Sequence, residues 1–414
     1  MNQTNIFDDL SSRGFVKQCS NEPALRKLFA EGPLVFYAGF DPTADSLHVG
    51  SLVPIMAMAH IQRAGHIPIC IVGGGTALIG DPSGKTEMRR MMTREEIDKN
   101  GEALLGQLKR YLSFGEGKGR ILNNADWLIG LGYINFLRDV GRYFKVNEMI
   151  RVESYRLRLE RQEGLSFIEF NYQLLQAYDF LELHNRYNCV LQIGGDDQWG
   201  NMIAGTGLIR QSLSSEAHVL TFPLLETASG RKMGKTENGT IWLDSKKTSP
   251  YDFYQYWVNT DDRDVIKFLK LFTFLSVEDI SQYEKFVGAE LKPAKELLAF
   301  EVTKITHGEQ AANASKEAAA QLFSGVIGLN SDAIPTKEIN KSLLVNGINV
   351  PDLFKIAGLV KSTSEARRLA DQGGAYVNGV SVPFGKVLNE SDLVDGSLIL
   401  RQGKKHYCRV IVVL

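Results

Sequence analysis

Short runs rich in apolar, β-branched and aromatic residues alternate with helical patterns in the first half of the chain, which limits the folds open to it. Three such runs, at residues 34–37, 67–72 and 190–193, each lead into a turn that contains glycine. Strands separated by helical stretches are typical of a parallel sheet with helical crossovers. We therefore predict an α/β fold in which ligands bind beyond the carboxyl ends of the strands.

The pattern changes twice in the second half of the chain. Residues 249–323 are helical without a clear strand, and residues 324–335 are rich in Gly, Ser, Asn and Pro. Further on, Ser362 and Glu365 have capping-box spacing, and an Asn-Gly pair within residues 376–382 predicts a hairpin. The predicted segments are a parallel-sheet domain over 1–228, a loop over 229–248, an α-helical domain over 249–323, a linker over 324–348 and a small α+β domain over 349–414.

The composition is that of an ordinary globular protein, with 44% hydrophobic residues, 23% charged residues and a formal net charge of −1. This balance excludes a molecule that is basic over its whole surface, but it is compatible with a local basic patch. The four cysteines form no C-x-x-C pair, so we expect neither a cysteine zinc site nor a disulfide framework. The first residues lack a signal-peptide pattern and no apolar run approaches the roughly 20 residues that span a bilayer, so we expect a cytoplasmic protein with no membrane partner.

The first glycine-containing turn, residues 37–51, leads into a helix that we expect to begin close to His48. A helix start offers free N–H groups and a partial positive charge, which suit a phosphate group, and His48 can add a further donor. Gly50 leaves space for a flat base or a ribose to lie against the backbone. The alternative is a plain strand-to-helix turn, because a lone H-x-G motif is weak evidence.

The second turn, residues 73–86, begins with three glycines and ends like a P-loop. The P-loop spacing fails, because Ile79 stands where the first glycine of that motif is required. What remains is a glycine-rich turn at a strand end with one carboxylate, Asp81, followed by Lys85 and Arg89. For Lys85 and Arg89 taken alone, a solvated, flexible loop is the preferred interpretation.

One helix is expected over residues 167–181, and three of its polar residues share a face. Tyr172, Gln176 and Asp179 stand at positions i, i+4 and i+7 of an otherwise apolar helix. Asp179 can accept a hydrogen bond from a phenol, while Tyr37, at the end of the first strand, can donate one to the phenolic oxygen. Tyr172 and Gln176 can then hold an ammonium group. A stripe that faces water explains the spacing as well.

The third turn, residues 194–201, contains glycines and two adjacent aspartates. A carboxylate there can bind a ribose hydroxyl, and a buried capping aspartate is the alternative. Further on, residues 230–236 carry Lys232 and Lys235 among glycines. Such a loop can close over a triphosphate and neutralise the charge that develops as pyrophosphate leaves, or it can be an ordinary exposed basic loop.

Together, these motifs resemble those of class I aminoacyl-tRNA synthetases. The strings HVGS at residues 48–51 and KMGKT at residues 232–236 are similar to the two signatures of that class. The longer strings YAGFDPTADSLHVG, NYQLLQAYDF, LQIGGDDQWGN and GRKMGKT resemble the tyrosyl enzymes in particular. The resemblance covers essentially the whole chain. It implies a Rossmann-like catalytic domain with a mobile lysine-signature loop, an α-helical domain on the anticodon side and a small RNA-binding domain at the C-terminus.

The resemblance also implies which residues bind the substrates. Those implied for tyrosine are Tyr37, Asp81, Tyr172, Gln176, Asp179 and Gln198. Those implied for ATP are Gly39, Asp41, His48, Gly50, Gly195, Asp197, Gln198, Lys232, Lys235 and Thr236. Those implied to stabilise the departing pyrophosphate are Thr43, His48, Lys85, Arg89, Lys232 and Lys235. ATP would enter as a substrate accompanied by Mg²⁺, and no protein-held metal is implied.

The implied reaction is an in-line attack of the tyrosine carboxylate on the α-phosphorus of ATP, followed by transfer of the tyrosyl group to a terminal ribose hydroxyl of tRNA. Catalysis would rest on positioning and charge stabilisation rather than on a covalent enzyme intermediate. Ser51, Gly234 and Thr236 depart from the consensus signatures, and Pro54 lies early in the following helix. None of these departures removes a charge that the chemistry needs.

The C-terminal segment from residue 350 has nine Lys or Arg residues against six Asp or Glu residues. This excess is modest, so it is the resemblance that implies binding of the cognate tRNA there. The candidate phosphate contacts are Arg367, Arg368, Lys404, Lys405 and Arg409. The resemblance further implies a homodimer, and we place its interface at about residues 127–162.

Three other functions compete with this interpretation. A tryptophanyl-tRNA synthetase is disfavoured by the pair of Tyr37 and Asp179 and by the C-terminal segment. A non-catalytic RNA-binding protein on a synthetase scaffold would be expected to have lost His48, Asp81 or the lysines, all of which are present. A small-molecule nucleotidyltransferase would need neither the helical domain nor the C-terminal domain.

Overall fold

The computed structural model describes residues 5–81, 92–162, 164–228, 230, 233–236, 239–323, 334–394, 396–403 and 406–413. The chain divides into two compact units. The first comprises Met1–Leu243 and Ile266–Lys285, and the second comprises Asp244–Val265 and Phe286–Leu414.

The strands, in chain order, are β1 (Gln18–Cys19), β2 (Val35–Phe40), β3 (Ile67–Val72), β4 (Arg120–Asn123), β5 (Cys189–Gly195), β6 (His218–Phe222), β7 (Lys235–Thr236), β8 (Gly239–Thr240), β9 (Thr336–Asn340), β10 (Ile348–Asn349), β11 (Ala375–Val377), β12 (Val380–Ser381), β13 (Val387–Leu388), β14 (Ser397–Gln402) and β15 (His406–Val413).

The helices, in chain order, are α1 (Ile6–Arg13), α2 (Glu22–Ala30), α3 (Leu52–Arg63), α4 (Arg94–Leu108), α5 (Ala125–Leu128), α6 (Tyr133–Asp139), α7 (Val146–Met149), α8 (Glu153–Glu160), α9 (Phe167–Tyr187), α10 (Trp199–Leu213), α11 (Pro250–Val258), α12 (Val265–Phe272), α13 (Val277–Ser281), α14 (Lys292–His307), α15 (Glu309–Phe323), α16 (Lys341–Val345), α17 (Val350–Ile356) and α18 (Thr363–Asp371).

A sheet with the strand order β1-β6-β5-β2-β3-β4 forms the centre of the first unit. All neighbouring strands in it are parallel except β1 and β6. The chain adds strands to one side of β2 with β3 and β4, and to the other side with β5 and β6. The predicted α/β fold is therefore confirmed, and the direction of strand addition reverses between β2 and β5. Ligands of open α/β sheets bind at such a reversal.

Local sequence explains the elements that carry the polar stripe and the sheet. At the start of α9, Ser166 and Glu169 form a capping box in which each side chain accepts a hydrogen bond from the backbone N–H of the other. The helix ends where Asn188 adopts a left-handed conformation with φ of 51°. Strand β3 is a continuous apolar run that is buried from its second residue onward, as expected for a strand covered on both faces.

The second unit contains a helical part and a small mixed part. In the helical part, α11 packs against α14 and α15, and Phe253 meets His307 with ring centroids 4.8 Å apart. The mixed part has a sheet of order β12-β11-β14-β15-β9, one face of which packs against α17 and α18. The predicted Asn-Gly hairpin joins β11 to β12, with Asn378 and Gly379 at φ of 48° and 81°.

Two of the predicted boundaries differ from the structure. Residues 336–348 were expected to belong to a linker, but β9 pairs with β15 and Leu344 of α16 is buried in the C-terminal core. The described part of this small domain therefore begins before residue 349, and residues 324–333 lie outside the description. Residues 266–285 were expected in the helical domain but belong to the first unit, where Arg13 of α1 donates to the carbonyl oxygens of Lys270 and Leu275.

No helix in the described parts of the chain combines the length and the hydropathy of a bilayer-spanning segment. The four cysteines are free thiols, and Cys70 and Cys189 are buried within strands β3 and β5.

Candidate active site

Polar residues and glycines of the first unit lie beyond the carboxyl ends of four adjacent strands. Asp41 follows β2, the glycine run 73–75 follows β3, Asn124 follows β4, and Asp197 follows β5. Helix α9 lies across these ends, with Tyr172 and Asp179 both buried. The three turns that were predicted independently from the sequence therefore contribute to one site.

Asp179 is buried at the base of this site and is held by two donors. The indole Nε1 of Trp127 donates to Oδ1 over 2.7 Å, and Nδ2 of Asn124 donates to Oδ2 over 2.9 Å. Burial raises the pKa of Asp179 to about 7, the charge of Asp41 adds to this rise, and the two donors oppose it. Asp179 is thus an oriented acceptor, and the alternative of a water-facing stripe is wrong at this position.

Tyr37 lies inside β2 rather than at the strand end that the sequence predicted. Its ring packs edge-on against Phe180, with centroids 5.1 Å apart, and only 2% of the residue is exposed. Its hydroxyl is buried and has no hydrogen-bond partner among the described residues. Burial, followed by the charge of Asp179, raises the pKa of Tyr37 well above its usual value, so the hydroxyl remains protonated and can donate.

The glycine run after β3 is buried and tightly packed. A Cβ on Gly73 would overlap the carboxylate of Asp41 and approach Oγ1 of Thr76 to 2.6 Å. A Cβ on Gly74 would overlap the side-chain amide of Asn123, and one on Gly75 would come within 3.0 Å of Leu128. Glycine is required here because neighbouring side chains occupy the space, so this part of the turn is not a solvated loop.

Tyr172 lies among three carboxylates. Its hydroxyl donates to Oδ2 of Asp41 over 3.2 Å. Burial raises its pKa well above the usual value, and the charges of Asp41, Asp81 and Asp179 raise it further. Gln176, one turn along α9, is half-buried. A concentration of negative charge beside a buried hydroxyl suits a cationic group such as an ammonium.

Asp81, Gln198 and Asp197 form a second polar group that adjoins Tyr172. Nε2 of Gln198 donates to Oδ2 of Asp81 over 2.8 Å, and Oε1 of Gln198 accepts from Asn201 over 3.2 Å. Asp197 is exposed, and a Cβ on Gly195 would lie 2.5 Å from its Oδ1. The neighbouring Asp196 instead accepts from Gln18 and Thr221, both over 2.7 Å. Asp196 is thus held by side chains of neighbouring strands and caps no helix, whereas Asp197 is the accessible carboxylate.

His48 caps the short 3-10 turn Val49–Ser51 that precedes α3. Its Nδ1 accepts from the N–H of Gly50 over 3.0 Å, so the proton of the neutral ring lies on Nε2, which is the donor nitrogen. The space at Gly50, predicted for a base or ribose, contains the His48 ring, and a Cβ there would lie 2.8 Å from it. Gly39 has open space beside it, and Thr43 is exposed.

The second signature packs against the first within the same unit. The N–H of Val49 donates to the carbonyl oxygen of Ile241, and the N–H of Ile241 donates to the carbonyl oxygen of Gly234. Gly234 has φ of 82°, and a Cβ there would lie 3.2 Å from the backbone nitrogen of Gly50. The positions of Lys85, Arg89 and Lys232 lie outside the described residues, and Lys235 and Thr236 are described as backbone only, in β7.

Asn124, Trp127 and Thr76 belong to the site but were not predicted from the sequence. They orient Asp179 and Asp41 through hydrogen bonds of 2.7 to 3.0 Å. The available signal was strand β4, since the sequence Asn-Ala-Asp-Trp at residues 124–127 follows it directly, as the other turns follow their strands. No group of three His, Cys, Asp or Glu residues suited to a metal ion occurs in the part of the chain that the structure describes.

A groove of about 1010 Å³ adjoins Asp197. It is lined by Asp197, Gln173 and Trp199, and by basic side chains that include Arg151 and Arg210. Tyr37 and Asp179, at the buried end of the site, do not line it. A long ligand can therefore approach the exposed carboxylate Asp197 without passing the buried end of the site.

The predicted phosphate contacts of the C-terminal domain lie on two opposite surfaces. Arg367 and Arg368 are exposed on α18, and the Arg367 guanidinium lies 4.9 Å above the Phe384 ring. Arg409 alternates along β15 with the core residues Cys408 and Val410, so it is on the sheet face turned away from α18. The residues Lys404 and Lys405 lie outside the description.

A comparison with known families identifies the class. Residues 30–324 match the model of the class I tRNA synthetases of the W and Y group, and this covers most of the chain. The fold and the two packed signatures agree with that class.

The closer relatives identify the particular family. The chain is 53% identical to the tyrosine–tRNA ligase of Syntrophus aciditrophicus, over 97% of this chain and 98% of that one. It is 50% identical to the tyrosine–tRNA ligase of Acetivibrio thermocellus, over 99% and 100% of the two chains. A C-terminally truncated mitochondrial tyrosyl-tRNA synthetase of Aspergillus nidulans has a similar structure, with a TM-score of 0.70, 30% identity and coverage of 78% of this chain and 95% of that one. The chain belongs to the tyrosine–tRNA ligases.

Proposed function

We propose that this site binds tyrosine and ATP side by side, and that its residues act in the reaction of the tyrosine–tRNA ligases. The chain is an aminoacyl-tRNA synthetase that activates tyrosine and transfers it to tRNA. The observation that carries the proposed site is the buried Tyr37 hydroxyl, which has no hydrogen-bond partner in the described part of the chain, beside the buried carboxylate of Asp179. A substrate phenol would donate a hydrogen bond to the Asp179 carboxylate and accept one from the Tyr37 hydroxyl. Both buried polar groups would then be hydrogen-bonded to the substrate.

The same pair explains the rejection of phenylalanine. A phenylalanine ring would leave both Tyr37 and Asp179 without the phenol, and unpaired buried polar groups are costly. Tyrosyl-tRNA synthetases are themselves the standard example of such discrimination.

The amino acid backbone would lie toward Tyr172. The carboxylates of Asp41 and Asp81 and the Tyr172 hydroxyl supply the negative surroundings for its ammonium group, with Gln176 one turn along α9. Gln198, which Asp81 and Asn201 hold on both sides, would contact the substrate carboxylate.

ATP would bind over the carboxyl ends of β2 and β5. The exposed carboxylate of Asp197 and the open space beside Gly39 suit a ribose, with Asp41 and the Gly195 backbone nearby. Because the His48 ring fills the space at Gly50, we propose that the adenine contacts that edge of the first signature rather than a bare glycine surface. Thr43 and Nε2 of His48 would donate to the phosphates, assisted by cations from Lys85, Arg89, Lys232 and Lys235, with Thr236 beside them.

In the first step, a carboxylate oxygen of tyrosine would form a bond to the α-phosphorus as the bond from that phosphorus to the pyrophosphate oxygen breaks. The negative charge then grows on the leaving pyrophosphate, which is where the histidine and the lysines are needed. ATP would enter with its Mg²⁺. In the second step, a terminal ribose hydroxyl of tRNA would attack the carbonyl carbon of the adenylate and release AMP.

The tRNA would reach the adenylate through the basic groove that Asp197 lines. Arg151 and Arg210 in this groove can contact phosphates, because basic side chains supply the sequence-independent part of nucleic-acid binding. In the C-terminal domain, the exposed pair Arg367 and Arg368 is a better candidate contact than Arg409, which lies on the opposite sheet face. We propose that the enzyme works in the cytoplasm, where its tRNA substrate is found.

A homodimer is supported by exposed apolar residues near the predicted interface. Ile134 is 72% exposed, Val146 63% and Phe167 68%, and they lie within or just beyond residues 127–162. Exposed apolar side chains concentrated in one part of a chain are typical of a surface that a partner covers. Sedimentation of the purified protein should give twice the mass of the chain, and Ile134→Asp should reduce it.

The decisive experiment is amino-acid-dependent exchange of pyrophosphate into ATP. Tyrosine should support exchange, and phenylalanine and tryptophan should not. Asp179→Ala should reduce kcat/KM for tyrosine by at least about 100-fold, because the phenol and two buried donors lose their acceptor. Glu182→Ala is the matched control, since Glu182 is a carboxylate on the same helix that pairs with Arg186. Exchange that is independent of tyrosine, or equal in both variants, would contradict the proposal.

A further inference from the structure

A continuous chain of hydrogen bonds joins the two carboxylates that lie at opposite ends of the proposed tyrosine site. Asn124 donates through Nδ2 to Asp179 over 2.9 Å and to Oγ1 of Thr76 over 3.0 Å. Thr76 in turn donates to Oδ1 of Asp41 over 3.0 Å. Thr76 and Asn124 are 3% and 1% exposed, so water cannot easily replace either of them.

The direction of every bond in this chain is fixed by a backbone group. The N–H of Gly75 donates to Oδ1 of Asn124 over 2.7 Å, which sets the orientation of the side-chain amide. Both hydrogens of Nδ2 are then used, one on Asp179 and one on Thr76. Because the Thr76 hydroxyl accepts from Asn124, its own hydrogen is available for the Asp41 carboxylate, as observed.

The glycines before Thr76 let the backbone pack closely against this hydrogen-bonded chain. A Cβ on Gly73 would lie 2.6 Å from Oγ1 of Thr76 and would overlap Asp41, so the glycine brings the backbone against this pair. The neighbouring Gly75, which supplies the N–H, is itself packed against Leu128. The glycine run therefore presents Thr76 and Asn124 to the two carboxylates in one conformation.

We propose that Thr76 is a positioning residue that holds Asp41 directly and Asp179 through Asn124, so that one hydroxyl sets both the phenol end and the ribose end of the site. This inference rests on the proposed function of the site. Thr76 itself contacts neither substrate in this scheme. Its loss would disturb Asp41, which adjoins the ammonium and ribose sites, and Asp179, which binds the phenol.

The test compares Thr76→Val, which removes the hydroxyl at nearly constant volume, with Thr76→Ser, which keeps the hydroxyl and removes the methyl group. We expect Thr76→Val to raise KM for tyrosine and KM for ATP together by about 10-fold or more, as expected for a hydrogen bond to a charged group. Thr76→Ser should restore both constants to within about 3-fold of the parent. Thr76→Ala provides a second variant without the hydroxyl if the valine disturbs folding, and thermal unfolding of each variant checks this.

Three results would overturn the inference. Both KM values could stay within about 2-fold of the parent in Thr76→Val and Thr76→Ala. Thr76→Ser could be as impaired as Thr76→Val, which would assign the effect to packing of the methyl group. The increase could be confined to KM for tyrosine, with KM for ATP unchanged, which would limit Thr76 to supporting the tyrosine site. If the parent itself lacks tyrosine-dependent exchange, the proposed function fails; if the parent is active and the variants are unaffected, only this inference fails.

Discussion

Replacing Tyr37 with phenylalanine removes one hydroxyl group from the centre of the first unit and leaves the shape of the side chain unchanged. This hydroxyl is buried and has no hydrogen-bond partner among the described residues. An unpaired buried polar group costs about 1–3 kcal/mol. Tyr37→Phe should therefore raise the free energy of unfolding by about 1–2 kcal/mol, which corresponds to roughly 2–4 °C in the melting temperature of a unit of this size.

Tyrosine binding should change in the opposite direction. With a substrate phenol present, the Tyr37 hydroxyl would donate to it, and a neutral hydrogen bond contributes about 0.5–1.5 kcal/mol. We expect kcat/KM for tyrosine to fall by roughly 3- to 10-fold, and selectivity over phenylalanine to fall by a similar factor. The assays are thermal unfolding with and without tyrosine, and pyrophosphate exchange with both amino acids.

Tyr155→Phe is the matched control for the stability measurement. Tyr155 is equally buried, but its hydroxyl has the carbonyl oxygens of Glu169 and Phe170 at 3.4 Å. Its replacement should lower stability by about 0.5–1.5 kcal/mol. The reasoning is refuted if Tyr37→Phe is destabilised as much as Tyr155→Phe, or if it keeps the selectivity of the parent.

Four further changes test the site. Because the pKa of Asp179 is about 7 and Trp127 lowers it, kcat/KM for tyrosine should fall as pH drops below 7 in the parent. In Trp127→Phe the decrease in kcat/KM should begin about 1–2 pH units higher, because the carboxylate of Asp179 loses a donor. Trp257→Phe, in the second unit, should leave the pH dependence unchanged. Burial raises the pKa of Asp179 from 3.8 to about 7, so between pH 4 and pH 7 the folded protein binds a proton at Asp179 that the unfolded chain has released. The folded parent therefore loses stability as the pH rises through this range. Asp179→Asn has no carboxylate to titrate, so its unfolding free energy relative to the parent should increase by roughly 3–4 kcal/mol from pH 4 to pH 8. Chemical denaturation at both pH values measures this, and a difference between variant and parent that is the same at both would contradict it. Gly73→Ala should raise KM for tyrosine and KM for ATP together, because its Cβ overlaps the carboxylate of Asp41. Gly106→Ala is the control, since Gly106 has open space beside it, and pyrophosphate-exchange kinetics of the two variants should therefore differ. Gly234→Ser and Gly234→Ala should both increase hydrogen exchange at residues 233–236 and 239–241, since φ of 82° costs a residue with a Cβ about 1–2 kcal/mol, and protection equal to the parent would refute this.

The parts of the fold that the sequence predicts correctly are those with a strong local pattern. Strands β2, β3 and β5 are apolar and end in glycine turns, and helical spacing places the polar stripe of α9 on one face. The spacing left open whether that face is buried, and the structure shows that Tyr172 and Asp179 are buried. Asp179 and Tyr37 could be paired from the sequence alone, because both residue types suit a phenol. Their supporting donors could not, since the contacts of Asn124 and Trp127 with Asp179 join residues more than 50 positions apart.

Strand β9 shows why the linker prediction was wrong. Only Ile339 of its five residues is buried, so the segment lacks the apolar alternation of a strand. Its conformation comes from pairing with β15 at the edge of the sheet, which is a tertiary effect. The grouping of residues 266–285 with the first unit is likewise set by contacts with α1 rather than by any break in composition.

The route of the chain between the two units has a practical consequence for anyone who wishes to dissect the enzyme. The backbone leaves the first unit after Leu243, returns to it at Ile266 and leaves again after Lys285. A fragment that stops at residue 243 would lack Lys270 and Leu275, whose carbonyl oxygens accept hydrogen bonds from the buried Arg13 side chain. Adenylate-forming activity should therefore survive only in fragments that run to at least residue 285, and a fragment that stops there carries α11 without the α14 and α15 that pack against it.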